Sequence, residues 1–412
     1  MTEPLRARPA AVAFILVTVL MDVLAFGIVI PILPKLIESF RHGDTATAAT
    51  TYSGFSTAWA LMQFVFSPVL GVLSDRFGRR RVLLISLTGL GLDYILMAMA
   101  PSLTWLFVGR VISGITAATY STAAAYIADV TPPEKRAASF GYVGAAWGVG
   151  FIVGPALGGF LGGIDLRLPF WVAAGLTLAN VAYGWFVVPE SLPAERRSPF
   201  RWTRANPLGA LAIVRGHVGL IALVIIQVLY TLAHYSLPSV FVLYASYRYH
   251  WDTTRVGLTL TLVGVCTAVL QALVGPVVRI LGERRAVLIG LAAATVAYVG
   301  YGVAPSGAWF LLAIPFGALS GLYGAAAQSL MTARVGADEQ GQLQGLNSSL
   351  MGLSGLIGPA IFGFSFAYGI GGLALGSIDA PGLPFVIAGL LTAVGGLIAV
   401  AAARPAPMVR AG

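Results

Sequence analysis

Charge is what this chain has least of. Of 412 residues only 10% are Asp, Glu, Lys or Arg, against roughly a quarter in an ordinary soluble domain, while 58% are hydrophobic. That balance excludes a water-soluble globular fold. Lysine occurs only as Lys35 and Lys135, and neither closes a GxxxxGK[ST] run, so ATP is excluded as a driver through that phosphate loop. The single cysteine, Cys266, excludes an intramolecular disulfide and a multi-cysteine metal site. Within its apolar run it reads as a small buried residue. The four histidines, His42, His217, His234 and His250, show neither HExxH nor paired spacing, so no metal and no cofactor is expected. With GxSxG also missing, nothing reads as an enzyme. Acidic residues are the minority sign, 16 against 25 basic. The basic surplus lies in short loops between apolar runs rather than in a surface stripe, so no nucleic-acid partner is expected.

What is present is apolar length. A helix needs about 20 apolar residues to cross a hydrocarbon core of roughly 30 Å. Twelve runs meet that need, at 10–33, 51–73, 82–100, 104–128, 138–162, 168–188, 217–244, 255–278, 286–304, 308–332, 342–370 and 382–402. The first is too long for the apolar core of a signal peptide and counts as a membrane helix. Residues 189–216 hold Pro193, Pro199 and Pro207 with Arg196, Arg197, Arg201, Arg204 and Arg215, a basic linker between a bundle at 1–188 and another at 217–412. Around Phe200 and Trp202 it has the makings of an interfacial helix. With the N-terminus inside, 19 of the 25 Lys and Arg fall at the termini, in the linker and in the loops on that side. The positive-inside rule then places both termini and the linker in the cytoplasm.

One charged turn organises the chain: Gly71-Val-Leu-Ser-Asp75-Arg76-Phe-Gly78-Arg79-Arg80-Arg81-Val-Leu-Leu84. Charges at this density between apolar runs belong at a membrane surface. A partial copy follows 204 residues later, with Gly71, Gly78, Arg80, Arg81 and Leu84 falling on Gly275, Gly282, Arg284, Arg285 and Leu288. The same shift carries Gly148, Gly154, Pro155, Gly159 and Phe160 onto Gly352, Gly358, Pro359, Gly363 and Phe364. Two segments at one offset predict an all-α membrane protein of two pseudo-symmetric six-helix bundles around a central pathway.

Gly144, Gly148, Gly150, Gly154, Gly158, Gly159, Gly162 and Gly163 form a small-residue ridge around Pro155 in the fifth run. It suits either close helix packing or a hinge. Three ionisable residues lie deep in the first half. At 1.5 Å per residue, Asp22 is roughly 21 Å along its helix from Arg8 and about 18 Å from Pro34. Asp93 and Arg110 lie about 12 and 13 Å below the turn at Pro101, at one depth on neighbouring helices. Structural polar contact is the bland alternative. Two acids and one arginine leave an acid uncompensated, and removing an acid from water disfavours its charged form, which favours Asp22 for proton exchange and Arg110 for modulating it. In the second half only His234, beside Tyr230 and Tyr235, is ionisable and expected to be buried, as a proton site or as a neutral hydrogen-bonded residue. Phe26, Trp59, Gln63, Trp147, Gln227, Phe241, Gln271, Phe316, Gln328 and Asn347 are candidates for an apolar wall with a few polar groups, suited to a bulky amphipathic small molecule.

These motifs resemble the major facilitator superfamily, and within it the twelve-helix drug:H⁺ antiporters. The turn through Gly71–Arg80 is similar to the loop 2–3 signature, Leu106-Phe-Val-Gly-Arg110-Val-Ile-Ser-Gly114 to the fourth-helix motif, Gly150-Phe-Ile-Val-Gly154-Pro155-Ala-Leu-Gly158-Gly159 to the exporter motif of the fifth helix, and Met21-Asp22 through Pro31 to the first-helix motif. Ser74–Arg80, Leu92-Asp93-Tyr94, Ser113–Thr116 and Leu343-Gln-Gly345 resemble the tetracycline efflux proteins most. The resemblance implies proton-coupled export by a monomer in the lipid bilayer. It also implies a cytoplasmic gate in which Asp75 and Asp129 join Arg76, Arg79 and Arg80, with Asp75 facing a second-half helix N-terminus. The tetracycline exporters carry a histidine in the eighth helix and an acid in the ninth, where this chain has Thr267 and Ala294.

Overall fold

The computed structural model describes residues 9–117, 119–193, 195, 197, 218–336, 339–371 and 379–402. Regular structure there is entirely helical. The first half contains α1 (Pro9–Val29), α2 (Leu33–Phe40), α3 (Thr45–Phe77), α4 (Arg79–Met99), α5 (Leu103–Thr116), α6 (Thr119–Val130), α7 (Pro133–Ile164) and α8 (Leu168–Phe186). The second contains α9 (Val218–His234), α10 (Ser236–Tyr249), α11 (Thr253–Leu281), α12 (Glu283–Val303), α13 (Gly307–Leu319), α14 (Gly321–Thr332), α15 (Gln340–Ile370) and α16 (Leu383–Ala402). Ten of the twelve expected crossings meet the length and apolarity a bilayer demands, three of them as paired helices. The other two are α5 with α6, and α8. Of the linker only 189–193, 195 and 197 are described, so Arg196, Phe200, Arg201, Trp202, Arg204 and Arg215 lie outside the described residues.

Local chemistry sets the helix ends. The run expected at 10–33 stops at Val29, because Pro31 and Pro34 lack the N–H that would continue the ladder; the chain resumes as α2 with Pro34 in its first turn. α3 starts earlier than the apolar run, at Thr45, because Asp44 caps it: its carboxylate accepts from the Thr47 main-chain N–H at 3.0 Å and from the Thr47 hydroxyl at 2.5 Å. Those two bonds hold the Asp44 carboxyl below the usual range. The expected run 217–244 is two helices broken at Tyr235, and 308–332 is two broken at Ser320. The Ser320 hydroxyl turns back to the Gly317 carbonyl at 2.6 Å.

The repeat extends to backbone conformation. Gly78 and Gly282, one offset apart, have φ of 101° and 77°, the left-handed region that favours glycine, and each opens a helix of 21 residues. Ala100 and Ala304 end those helices at φ, ψ of −53°, 120° and −52°, 119°. An arginine satisfies the terminal carbonyls in each half: Arg167 donates to Ala98 and Ala100 at 2.7 and 2.9 Å, and Arg248 donates twice to Ala304 at 3.1 Å.

By their contacts the residues group into two compact units, Met1–Pro207 with His250–Gly264, and Leu208–Tyr249 with Val265–Gly412. The first is centred on Ile15, Val19 and Val23 of α1, packed with Leu83 and Leu87 of α4 and Tyr126 and Ile127 of α6. Much of the glycine ridge of α7 is an interlock. Gly150, Gly154 and Gly158 meet α1, where a Cβ on Gly154 would stand 2.7 Å from the Gly27 Cα and one on Gly158 would land on the Ile28 carbonyl. Gly159 meets Thr253 and Gly257 at the start of α11. Gly144 and Gly148 break the expected continuity, with nothing within 4 Å of an added Cβ. In the second unit, Phe241, Tyr244, Tyr301, Phe310 and Phe385 form an aromatic core, and the Tyr244 hydroxyl donates to the Tyr301 carbonyl at 2.7 Å.

Candidate functional site

In the first unit Asp22, Asp93 and Arg110 surround one tyrosine, Tyr94, which lies in electrostatic reach of all three. Asp93 is 2% exposed. Its carboxylate is seated against the backbone of α5, where a Cβ on Gly109 would come within 2.7 Å of Oδ1, so the glycine before Arg110 makes the room that brings acid and guanidinium near each other. Arg110 is in electrostatic reach of Asp93, Tyr52 and Tyr94. Asp93 and Arg110 nonetheless make no direct hydrogen bond. Among the described residues Asp22 Oδ1, both Asp93 oxygens and Arg110 Nε are buried without a hydrogen-bond partner. Buried orphan groups of this kind cost about 1–3 kcal/mol each, more when charged, and such sites concentrate where function needs them.

Beside the charges runs an aromatic row. Trp147 stacks on Phe151 at 5.5 Å, Phe151 meets Phe26 edge-on at 6.3 Å, and Phe26 lies on Trp59 at 6.2 Å. The Arg110 guanidinium sits 5.2 Å from the Trp59 ring centre. Three helices, α1, α3 and α7, thus bring three of the predicted wall residues, with the unpredicted Phe151, into one continuous surface. Gln63, on α3, is half-buried.

The second unit holds a neutral polar network. Tyr323 donates to Gln227 at 2.9 Å, its ring lies 4.2 Å from that of Tyr230, and the Tyr230 hydroxyl donates to the Ser320 carbonyl at 3.2 Å. Asn347 donates to Gln328 at 2.6 Å, and Thr231 and Ser354 share a bond of 2.9 Å. His234 stacks on Tyr230 at 6.4 Å. The helix ends at this residue, and the next ring, Tyr235, takes the inward place over Gly355 and Gly358. Gln271, Thr267 and Phe316 are exposed, Phe241 belongs to the aromatic core, and Ala294 is 0% exposed in a closely packed apolar setting.

At the charged turn Arg79 is the hub. It bonds Asp75 at 2.5 Å, Asp129 at 3.1 Å and the Ser74 hydroxyl at 2.6 Å. Arg76 and Arg80 do not join these acids. Arg76 lies over Phe77, and Arg80 reaches the carbonyls of Gly184 and Trp185 at the C-terminus of α8, where a cation meets the negative end of the helix dipole. A residue the motif reading missed completes the turn: Glu190 accepts from the Arg79 N–H at 2.9 Å and from the Ser191 and Leu192 N–H groups at 3.1 Å. The Pro189-Glu190 step after the sixth run was its only signal. Glu190→Gln, which keeps the shape and removes the charge at a helix N-terminus, is expected to cost about 1 kcal/mol, read as a lower melting temperature in detergent.

Apolar helices of membrane-spanning length, built as two repeats with titratable groups buried at mid-helix, define a repeat-built membrane carrier. The family model described as Major Facilitator Superfamily matches residues 15–359 and 223–411, and the chain belongs to that superfamily. It is 40% identical over 353 residues to the tetracycline resistance protein, class C, of Escherichia coli, covering 85% of this chain and 88% of that one. It is 38% identical over 363 residues to the class G protein of Vibrio anguillarum, covering 88% and 91%. To multidrug resistance protein 2 of Bacillus subtilis (strain 168) the identity is 27% over 377 residues, covering 90% of each. Among solved structures, the nucleoside transporter NupG matches with a TM-score of 0.76 at 14% identity, over 96% of this chain and 100% of that one. The human organic anion transporter MFSD10 matches with a TM-score of 0.69 at 23% identity, over 97% and 100%. At these identities the structural likeness shows the fold.

Proposed function

We propose that the chain is a proton-coupled exporter of amphipathic, tetracycline-type compounds, working by alternating access between halves 1–188 and 217–412 joined by the linker 189–216. The observation that carries the reading is Asp22: a carboxyl deep in the first helix, with a buried unpartnered oxygen, beside an aromatic row. A carboxylate in a dry site is costly, so a charged Asp22 favours the state that lets water reach it and a protonated one tolerates closure. Asp93 and Arg110 tune that equilibrium from one step away. In the first unit Trp147, Phe151, Phe26 and Trp59 offer ring faces suited to a fused planar compound; in the second, Gln227, Tyr230, Tyr323, Gln328 and Asn347 offer donors and acceptors suited to polar groups of such a compound. Asp75, Arg79 and Asp129 would hold the cytoplasmic side shut in one state, with both termini on that side of a bacterial inner membrane.

The direction of coupling tests this. In everted vesicles with an acid lumen, a tetracycline is expected to accumulate inside and to leak out when a protonophore collapses the gradient. Accumulation indifferent to the gradient, or outward movement under it, would reject the antiporter.

A further inference from the structure

One turn before Asp22 on α1, where Phe26 of the aromatic row lies one turn after it, is a cluster of polar residues that neither the proposed cargo path nor the motifs use. Thr18 of α1 and Thr177 and Asn180 of α8 are each 0% exposed. Asn180 Nδ2 donates to the Thr18 carbonyl at 2.9 Å. In the α1 ladder that carbonyl is also the place for the main-chain N–H of Asp22, four residues on, and its two lone pairs accommodate both donors. Side chains on a helix lean toward its N-terminus, so the Asp22 carboxyl covers the turn that Asn180 grips. α4 borders this cluster: a Cβ on Gly91 would stand 3.6 Å from the Thr177 methyl, and Tyr94, one turn along, is in electrostatic reach of Asp22.

Three oxygens on α1 and α8, Thr177 Oγ1, Asn180 Oδ1 and Asp22 Oδ1, are buried without a partner among the described residues. An amide oxygen and a carboxylate are both acceptors and cannot satisfy each other. A water can donate to both and accept from the Thr177 hydroxyl, which suits the two to four polar partners a buried water needs.

We propose that Thr177 and Asn180 are positioning residues for Asp22, holding water that hydrogen-bonds its carboxyl and so sets the pH range over which the carrier couples to protons. The charged or titratable group in electrostatic reach of Asp22 is Tyr94 on α4; Asp93 on α4 and Arg110 on α5 reach that tyrosine, and Tyr52 on α3 reaches Arg110. On α6 the Tyr126 hydroxyl is committed to the Pro189 carbonyl, and α7 meets α1 through Gly150, Gly154 and Gly158. α8 offers only Thr177, Asn180 and, further along, Tyr183.

The inference rests on the proton-coupled reading, and the test keeps the two apart. Thr177→Val and Asn180→Leu, reconstituted in proteoliposomes, are compared with wild type for tetracycline transport from pH 6 to 9 under a fixed pH difference. Water that donates to the carboxylate favours its charged form, so removing it lets Asp22 keep its proton to higher pH. The midpoint of the profile is expected to rise by about one pH unit in each variant, with Thr177→Ser restoring the wild-type curve. Profiles that superpose on wild type, or move down, overturn the cluster's role. If Asn180→Leu fails to insert, Thr177→Val carries the test, since it alters no shape. A wild-type rate with no dependence on the pH difference would instead bring down the antiporter reading itself.

Discussion

Asp22→Asn is expected to reduce transport driven by a pH gradient to background while leaving the protein in the membrane in ordinary amount. Asparagine keeps the volume and the polar outline but binds no proton in the working range, so the charged and neutral forms that bias the two states no longer exist. Insertion should not suffer, because an amide is cheaper in hydrocarbon than a carboxylate without a partner. Exchange of labelled for unlabelled substrate with no gradient should persist, since the aromatic row is untouched. That split separates lost coupling from lost binding. Gradient-driven flux equal to wild type in a well-inserted Asp22→Asn protein would remove Asp22 from the mechanism.

Gly158→Ala should be severely damaging for a single added methyl. The added carbon would occupy the place of the Ile28 carbonyl oxygen. α1 and α7 are in backbone contact from Gly150 to Gly158, so neither can shift without opening the whole seam. Overpacking of this sort costs about 1–3 kcal/mol where a core can yield, and backbone cannot rotate aside as a side chain does. A melting temperature lower by several degrees in detergent and a fall in the folded yield are expected. Gly144→Ala, on the same helix with nothing within 4 Å, should be neutral or slightly stabilising, by at most about 1 kcal/mol. Equal melting temperatures for the two variants would contradict the interlock.

The two variants differ in how far ahead of the structure they were visible. Asp22 could be singled out from the chain alone, because an acid between apolar runs is conspicuous in a sequence with so little charge. The difference between Gly158 and Gly144 could not. Both belong to the same small-residue pattern, and only the neighbouring helix distinguishes a glycine that touches backbone from one that faces open space. Glu190 and Asn180 were missed for a related reason. Glu190 reads as one more loop acid until the N-terminus of α4 is brought to it, and Asn180 is a lone polar residue until its partner proves to be a carbonyl 162 positions away. That Tyr235 rather than His234 packs over Gly355 and Gly358 was equally hidden, because the helix breaks at Tyr235 and helical periodicity carries no sign of such a break.

By itself the sequence determined the apolar spans, the two-fold repeat at an offset of 204, the turn that holds the arginines between two helices and the mid-helix position of Asp22, Asp93 and Arg110. All of these follow from the cost of putting charge in hydrocarbon and from 1.5 Å of rise per residue, which are one-dimensional quantities. Only the tertiary structure decided which glycines interlock, that Arg79 rather than Arg76 or Arg80 joins the acids, and that Asn180 binds the Thr18 carbonyl one turn before Asp22. Those depend on which helix faces which, and that is set by shape across the bundle rather than by order along the chain.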